Sequence, residues 1–485
     1  MIKLNKAEYL DKLYACWIGK NIGGTLGTPF EGTREFIEVT GFNSPEGEPL
    51  PNDDLDLQLV WLNAMEDIGP EKLTTNVLGD YWLQWITPHY NEYGIGKTNL
   101  SIGLLPPMSG EVDNDRWKKS NGAWIRSEVW AGLAPVVSDV AVKYAVMDGM
   151  VDHGIAEGTC AEIFTASMES AAYVESDIRK LLEISLSKIP ADSMVAGTVR
   201  LVMDCYDKGE DYKQAREKVL EFNKELGWFQ APGNLGFVTI GLLYGEGDFK
   251  KSVLYAINCG DDTDCTGGTV ASILGIIGGT KALPEDWRRY VGDGIACICI
   301  NAGHFHRRIP KNCTQLTERV AALVPEVMRA NGVDFAFVDG PTEVSETDFS
   351  AYNRKTSVDF LNFSPYSYDV THYDAMTVKV ELDKSPRVAP GEERQVTLTF
   401  RQNPRSHEQR KLLLKLFTPE TWTHGNYERV VTLEYYQPGQ RVEGVISTSF
   451  TVTAGEQMNP VNRVYVEVTS PTIPYPMMIP VIFIG

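Results

Sequence analysis

Two short acidic segments, far apart in the chain, carry the side chains best suited to chemistry. They are "PNDDLDLQLVW" at 51–61 and "CGDDTDCTGG" at 259–268, and each precedes an apolar run. Adjacent carboxylates repel and raise each other's pKa unless a cation joins them. If the two segments meet in space, their oxygen ligands suit one or two hard cations such as Mg²⁺, Mn²⁺ or Ca²⁺. The side chains concerned are Asn52, Asp53, Asp54, Asp56, Asp261, Asp262 and Asp264.

Helix capping is the alternative interpretation of these acidic pairs. Asp and Asn are preferred N-caps, and acidic side chains favour the positive end of a helix dipole. Because both segments occur in one chain, and Asp262-Thr263-Asp264 leads into a Gly-rich helix, we favour metal binding. For Asp261 the two interpretations are equally favoured. Small side chains also share one face of that helix, which predicts close contact with a second helix: Gly268, Ser272, Gly275 and Gly279.

The elements that must position the acidic segments are predicted to be helices. Residues 1 to about 330 show apolar side chains at helical spacing, as in "DYKQAREKVLEFNKEL", where Asp211 is placed to cap the helix. From "MTVKVEL" onward the pattern alternates, and about seven short strands between Gly/Pro-rich turns predict an antiparallel, Ig-like β-sandwich. We therefore expect an all-α domain over 1–331, a linker packed on it over 332–372 and the β-sandwich domain over 373–485.

Composition narrows the range of functions. The 485-residue chain has a formal net charge of −20 at pH 7, which disfavours binding to nucleic acid or to an anionic membrane. Its apolar runs are shorter than a bilayer requires and its first residues lack the pattern of a secretory signal, so we expect a cytoplasmic protein. The eight cysteines form no CxxC pair and the histidines no HExxH motif, so a metal site would use oxygen ligands.

Two further stretches, "IGGTLGTPFEG" at 22–32 and "SNGAWIRSEVWAGLAP" at 120–135, complete a set of four with the acidic segments. In order and content the four resemble the motifs of the ADP-ribosylglycohydrolase family, whose last motif reads roughly G-G-D-T-D-T before a small-residue helix. The resemblance covers residues 1 to about 330. It is that of a divergent bacterial-type member, similar to ADP-ribosyl hydrolases and dinitrogenase reductase activating glycohydrolases, with an appended C-terminal β domain.

The resemblance implies an all-α domain with a binuclear Mg²⁺ centre and a set of metal ligands: Asn52, Asp53, Asp54, Asp262, Asp264 and Cys265. Three positions depart from the family's motifs. Asn52 stands in place of a usual Thr, Gly24 in place of a usual Asp, and Cys265 in place of Thr or Ser, although a thiol is a poor Mg²⁺ ligand. Glu31 is implied as the catalytic carboxylate that activates water, and Asp56 is the alternative base.

The side chains expected to bind substrate are Asn121, Gly122, Trp228 and Asn234. The first two lie in the N-G-A motif of the resemblance, and the others in "GWFQAPGNLGF", where aromatic residues are also typical of a core. The Gly/Pro-rich "GLLPPMSGEVDND" at 103–115 is equally typical of a lid and of a surface loop. For Asp152 and His153 we favour structural hydrogen bonding over a catalytic pair.

Three functions fit these observations. The resemblance favours a metal-dependent glycohydrolase, a hydrolase of N- or O-glycosyl bonds, that cleaves the anomeric bond of an ADP-ribosyl (ribofuranosyl) conjugate with two Mg²⁺ ions, or with Mn²⁺ or Ca²⁺. The altered motifs and the added β domain favour a glycoside hydrolase for another furanoside or saccharide. A non-catalytic binding or structural protein is the third, although unused buried aspartates would be costly. The expected partner is a small molecule, or an ADP-ribosylated or glycosidic substrate; the sequence leaves the oligomeric state open.

Overall fold

The structure is a computed structural model, and the residues it describes are 1–301, 308–353, 363–372, 376–403, 408–425, 427–435 and 444–485. The chain divides into two compact units. The first comprises residues 1–97 and 114–362, and the second comprises residues 98–113 and 363–485. Among the helices in the described ranges, none is both long enough and apolar enough to cross a membrane.

Helices dominate the chain up to residue 330. In the described residues the helices are α1 (Lys6–Gly27), α2 (Asp53–Ile68), α3 (Thr75–Trp85), α4 (Asn91–Ile102), α5 (Met108–Glu111), α6 (Glu128–Leu133), α7 (Ser138–Asp152), α8 (Glu157–Ala171), α9 (Ile178–Lys188), α10 (Met194–Asp207), α11 (Tyr212–Phe222), α12 (Ala231–Gly245), α13 (Phe249–Asn258), α14 (Thr263–Gly278), α15 (Glu285–Val291), α16 (Cys313–Ala330) and α17 (Glu346–Tyr352). The Asp211 side chain accepts from the N–H of Gln214, whose side chain accepts in return from the N–H of Asp211, both at 2.9 Å. The predicted cap of α11 is therefore a capping box, and the all-α prediction is confirmed.

Helices α1 and α14 pack in unusually close contact. A Cβ at Gly23 would lie 2.1 Å from the carbonyl oxygen of Gly267, and a Cβ at Gly27 would lie 2.3 Å from that of Thr263. Gly275, on the small face predicted for α14, makes the same kind of contact with α1. Since any side chain at these positions would force the helices apart, the glycines hold the end of α1 against the start of α14.

The predicted linker is structured where the structure describes it. Strand β2 (Phe335–Val338) pairs in parallel with the N-terminal strand β1 (Ile2–Asn5). Helix α17 follows, and the Asn353 side chain donates a hydrogen bond to the carbonyl oxygen of Val136 at 3.0 Å. Residues 354–362 of the predicted linker lie outside the described residues, and its last residues already form a strand of the second unit.

The second unit contains two antiparallel sheets, which confirms the predicted β-sandwich. One has the strand order β11-β10-β6-β8 and the other β3-β4-β5-β9-β7. Alternate side chains of both sheets share one hydrophobic core, as the period of two predicted. Its strands are β3 (Ser367–His372), β4 (Met376–Leu382), β5 (Glu393–Gln402), β6 (Arg410–Phe417), β7 (Thr423–His424), β8 (Glu428–Leu433), β9 (Val445–Thr453), β10 (Val461–Ser470) and β11 (Ile473–Ile484).

Residues 98–113 belong to this β unit, although the sequence placed them in the helical domain. Leu104, Met108 and Val112, spaced four residues apart, are buried in the β core. The Asn99 side chain donates to the carbonyl oxygens of Ser109 and Val112 at 2.9 and 2.8 Å. Because these apolar side chains are committed to a core, the segment is neither a free lid nor a simple surface loop.

Candidate metal centre

The two acidic segments meet at the N-terminal ends of two helices. Asp53 and Asp54 are the first residues of α2, and Asp264 lies in the first turn of α14, after Asp262 at the N-cap position. The cap of α2 is Asn52, whose Oδ1 accepts from the N–H of Asp54 at 2.8 Å. Asp262 makes no side-chain cap bond. The segments therefore meet as predicted, and the four aspartates do not serve as helix caps.

Glu31 is brought to the same place by a short backbone pairing. The N–H of Gly32 donates to the carbonyl oxygen of Asp261 at 2.8 Å, and the N–H of Asp261 donates to that of Thr33 at 2.7 Å. Two groups of three side chains have ligand atoms within 4.8 Å of one another: Glu31, Asp262 and Asp264, and Asp54, Asp264 and Cys265. We call the five carboxylates Glu31, Asp53, Asp54, Asp262 and Asp264 the acidic centre.

The acidic centre opens onto a cleft of about 370 Å³, a size that suits a small organic ligand. Tyr90, Tyr93 and Phe229 add aromatic surface to its wall. Among the described residues that line the cleft, none is Lys, Arg or His. The lining residues that the sequence predicted as site residues are Glu31, Asn52, Asp53, Asn121, Gly122, Asp262, Asp264 and Cys265.

Three buried carboxylate oxygens of this centre lack a hydrogen-bond donor among the described residues: one on Asp54, which faces the Lys20 ammonium, and one each on Asp262 and Asp264. Asp262 Oδ2 accepts from the Asn121 amide at 2.6 Å, and Asp264 Oδ2 accepts from the Asn52 amide at 3.1 Å. The Oδ1 atoms of both aspartates are buried without a hydrogen-bond partner among the described residues. Leaving buried carboxylate oxygens unpaired is costly. A divalent cation would satisfy both oxygens, so the donor set fits a hard metal ion.

The pKa values of the acidic centre report the same excess of negative charge. Burial, together with the charge of Asp264, raises the pKa of Glu31 to about 8. Burial and the adjacent Asp54 charge raise the pKa of Asp53 to about 6. Burial likewise raises the pKa of Asp54 to about 7 and that of Asp262 well above its usual range. A bound dication would lower these pKa values and take the place of the protons.

Asp54 has two partners that the sequence did not predict together. The Lys20 ammonium lies 3.1 Å from Asp54 Oδ2 and 2.8 Å from Glu128 Oε1, and Lys20 is only 2% exposed. The Cys265 thiol donates to Asp54 Oδ1 at 3.3 Å, and burial raises its pKa well above the usual value. Cys265 thus donates to Asp54, and because its sulfur also lies within ligand distance of Asp54 and Asp264, its role as a metal ligand stays a prediction.

Comparison with known proteins identifies the family of the chain. The profile of the ADP-ribosylglycohydrolase family matches residues 5–324, which is more than half of the chain. The chain belongs to this family. It is accordingly a glycohydrolase, a hydrolase of glycosyl bonds, and the resemblance found in its motifs is confirmed. A search of the curated proteins found no match.

Two solved structures show weaker likenesses. An ADP-ribosylglycohydrolase-related protein complex is 19% identical, with a TM-score of 0.45, and the match covers 67% of this chain and 99% of that one. A FixG-related protein from Vibrio parahaemolyticus is 14% identical, with a TM-score of 0.19 and coverage of 23% and 98%. No conclusion about substrate rests on likenesses of this strength.

Two carboxylates near the acidic centre of this glycohydrolase hold loops in place. Asp56 is fully buried, and its Oδ2 accepts from the backbone N–H groups of Ile298 and Cys299 at 2.6 Å each. Asp261 accepts from the N–H of Phe229 at 3.1 Å, which holds that residue at a φ of +55°. Asp56 does not line the cleft, so its position disagrees with the predicted role as a base.

The predicted substrate residues fall into different places. Gly122 lines the cleft, and Asn121 lines it while orienting Asp262. Asn234 is fully buried, donates to Asp261 at 3.1 Å and does not line the cleft. Trp228 lines a neighbouring pocket, and its ring stacks on the Arg34 guanidinium at 3.7 Å. The structure therefore disagrees with direct substrate contact for Asn234 and for Trp228 within this cleft.

A second buried charge group lies under the N-G-A motif. Arg126 pairs with Asp148 Oδ1 and with Asp152 Oδ1, at 2.9 and 2.7 Å. His153 Nδ1 lies 2.9 Å from Asp152 Oδ1, and its Nε2 lies 3.1 Å from the Ser120 hydroxyl. His153 thus has the structural role favoured from the sequence. We call Arg126, Asp148, Asp152 and His153 the arginine cluster.

Three functional candidates were missed by sequence reasoning: Lys20, Glu128 and the Tyr90–Tyr93 pair. Tyr93 and Tyr90 donate to Asp53 Oδ2 at 3.0 and 3.4 Å. The one available signal for Lys20 was a lone lysine inside the small, apolar run "WIGKNIGG". Glu128 and the tyrosines carried no local pattern, because their partners come from distant parts of the chain.

Proposed function

We propose that this protein is a divalent-cation-dependent glycohydrolase that cleaves the anomeric bond of an ADP-ribosyl (ribofuranosyl) conjugate. One observation carries the proposal: the buried Oδ1 atoms of Asp262 and Asp264 lack donors beside a ligand-sized cleft. Family membership supports glycosyl hydrolysis. The unpaired oxygens supply the reason for a cation, and the cleft supplies room for a sugar ring.

Each side chain of the centre has a distinct part in this proposal. Asp262 and Asp264 hold the cation, and a bound cation would orient sugar hydroxyls and stabilise charge at the anomeric centre. Asn121 and Asn52 fix the two aspartates by donating to their Oδ2 atoms. Glu31 lines the cleft. With its pKa lowered by the cation, Glu31 accepts the proton of the attacking water.

A second substrate class, a neutral furanoside or saccharide, is favoured by the charge of the cleft. The described lining residues include four carboxylates besides Glu31 and no cationic side chain: Asp53, Glu92, Asp262 and Asp264. A pyrophosphate would bring further negative charge into this field. A neutral sugar would not, and the tyrosines on the wall could stack on its ring.

The experiment that separates these proposals is a hydrolysis panel. ADP-ribosyl-arginine and ADP-ribosyl-serine peptides are compared with p-nitrophenyl furanosides and pyranosides, each with Mg²⁺, Mn²⁺, Ca²⁺ or EDTA. Wild type and Asp262→Asn are tested side by side. We expect EDTA-sensitive release of ADP-ribose that the variant loses. Cleavage of the sugar panel alone would establish the second class, and equal turnover in EDTA would refute the cation dependence.

A further inference from the structure

Lys20 is buried against the acidic centre, with two carboxylates and one hydroxyl around its ammonium. Its Nζ lies 3.1 Å from Asp54 Oδ2, 2.8 Å from Glu128 Oε1 and 3.4 Å from the Thr269 hydroxyl. The two carboxylates form ion pairs with the ammonium, and the hydroxyl accepts a hydrogen bond from it. With two carboxylates at ion-pair distance, Lys20 is held as the charged ammonium.

The surroundings fix this ammonium in place. The Gln58 amide donates to Glu128 Oε2 at 2.8 Å and to the carbonyl oxygen of Asp54 at 2.9 Å. Gln58 Oε1 in turn accepts from the N–H of Val129 at 2.8 Å. A Cβ at Gly268 would approach Lys20 Cδ to 3.2 Å, so the glycine leaves room for the lysine stem. The charge is thus part of the fold rather than a mobile surface group.

The two sides of the acidic centre differ in what their oxygens already bind. On the Asp54 side, Oδ2 faces Lys20, Oδ1 accepts from the Cys265 thiol, and the Asn52 oxygen caps α2. On the other side, Asp262 and Asp264 each keep one buried oxygen without a donor, within ligand distance of Glu31. The difference between the two sides is that the Asp54 side already holds a cation of the chain, Lys20, whereas the described residues that line the cleft beside Asp262 and Asp264 include no Lys or Arg.

We propose that the centre binds one divalent cation, held by Asp262 and Asp264 beside Glu31, and that the Lys20 ammonium replaces a second cation at Asp54. This inference rests on the proposed cation dependence and corrects the two Mg²⁺ ions implied by the motif resemblance. A dication on Asp54 would face the buried ammonium at short range and would have to displace it. A neutral side chain at position 20 would remove that obstacle.

The test counts bound Mn²⁺ on the full-length protein, by calorimetric titration and by electron paramagnetic resonance of free Mn²⁺. We expect one Mn²⁺ per wild-type chain and none in Asp262→Asn. We expect two in Lys20→Met, because Asp54 and Glu128 then lack a cation. Lys188→Met is the matched control, since Lys188 is also buried and ion-paired, with Asp139. It should leave the count at one.

The outcomes separate this inference from the proposed function. Two Mn²⁺ ions on the wild type would overturn the single-cation inference and leave cation dependence intact. No bound Mn²⁺ would overturn both. If Lys20→Met folds only with Mn²⁺ present, two ions in the refolded protein support the inference and one ion contradicts it. A wild-type count of one that Asp262→Asn does not lower would also contradict it, because the cation would then lie elsewhere.

Discussion

The acidic centre and the arginine cluster are both buried groups of carboxylates in the helical unit, and their charges are balanced in different ways. In the arginine cluster, Asp148 accepts from Arg126 at 2.9 Å and from the Trp130 ring N–H at 3.0 Å, so both its oxygens have donors. In the acidic centre, Asp262 and Asp264 each have one oxygen without a donor. The first group is therefore complete for Asp148 and Asp152, although the nearby Glu162 keeps both buried oxygens without a partner among the described residues, and the second group requires a further positive charge.

The pKa of Asp152 follows this difference, whereas burial raises the pKa of Asp148 although Arg126 lies beside it. Burial acts to raise the pKa of Asp152, but the charges of Arg126 and His153 outweigh burial and lower it to about 2. Burial raises the pKa of Asp53 to about 6, and the neighbouring Asp54 charge adds to it. Burial alone therefore does not distinguish a functional carboxylate from a structural one. What separates Asp152 from Asp53 is the pair of protein cations, Arg126 and His153, beside Asp152.

The largest effect is expected from breaking the complete group. Arg126→Met would leave Asp148 and Asp152 buried without their cation, which costs about 3–5 kcal/mol of unfolding free energy. Urea unfolding followed by circular dichroism would measure it. Added Mn²⁺ should not restore the loss, because Asp148 and Asp152 belong to neither of the two groups of side chains placed to hold a metal ion. A loss below about 1 kcal/mol would show that the guanidinium does not hold the cluster.

A neutral substitution in the acidic centre should lower activity and metal binding but should not lower the stability of the metal-free protein. Asp264→Asn would lower hydrolysis and Mn²⁺ affinity by at least about 100-fold, since a ligand is lost. The metal-free variant should be at least as stable as wild type, because one of several repelling charges is removed. Activity assays and thermal unfolding in EDTA measure the two effects.

Asp148→Asn is the matched control from the arginine cluster. It should lower stability by about 1–3 kcal/mol because the buried guanidinium loses its charged partner, and it should keep the Mn²⁺ affinity of the folded protein. If Asp264→Asn proved the more destabilising of the two in EDTA, the contrast between a complete and an incomplete group would be wrong.

Much of the candidate centre could be predicted from the sequence, because its ligands form local patterns. Asp53, Asp54, Asp262 and Asp264 occur in adjacent or alternate positions before apolar helices, and the helical and strand periods are equally local. Lys20 could not be assigned, since its partners come from α2, α6 and α14. Such a role depends on tertiary contacts that no window of sequence contains.

Dependence on distant partners also explains the two wrong predictions, those for Asp56 and for the segment that contains Leu104. Asp56 lies in the acidic segment, but its carboxylate is directed at the backbone of a loop more than two hundred residues away. Leu104, Met108 and Val112 carried a usable signal, since their spacing of four is that of a buried helical face. The Gly and Pro residues around them favoured a loop instead, and the partner of that face is the β unit.

The pH dependence of stability should also separate the two groups. Glu31, Asp53 and Asp54 have folded-state pKa values of about 8, 6 and 7, above their ordinary values of 4.5, 3.8 and 3.8. A raised folded pKa means that the folded protein holds more protons, so their contribution is lost as pH rises from about 4 to about 8. Asp152, lowered to about 2, loses its contribution as pH falls below about 4.

Thermal unfolding in EDTA from pH 5 to pH 8.5 measures the first of these contributions. We expect the unfolding temperature of the metal-free protein to fall across this range. At pH 8.5, added Mn²⁺ should reverse most of that decrease. Asp264→Asn should flatten the profile, since it removes a charge that raises the pKa of Glu31. A rise in stability across the range in EDTA would contradict the raised pKa values.

The smallest expected effect concerns Gly24, where the motif usually has Asp. A Cβ there would lie 2.8 Å from the Asn52 amide nitrogen, which orients Asp264. Gly24→Ala should therefore weaken Mn²⁺ binding a few-fold and cost about 1 kcal/mol, and Asn52→Ser in the same chain should relieve the contact. Gly233→Ala, in α12 with open space around it, should instead stabilise by up to about 1 kcal/mol. An equal increase in stability from Gly24→Ala and Gly233→Ala would show that Asn52 does not need a glycine at position 24 to keep its position.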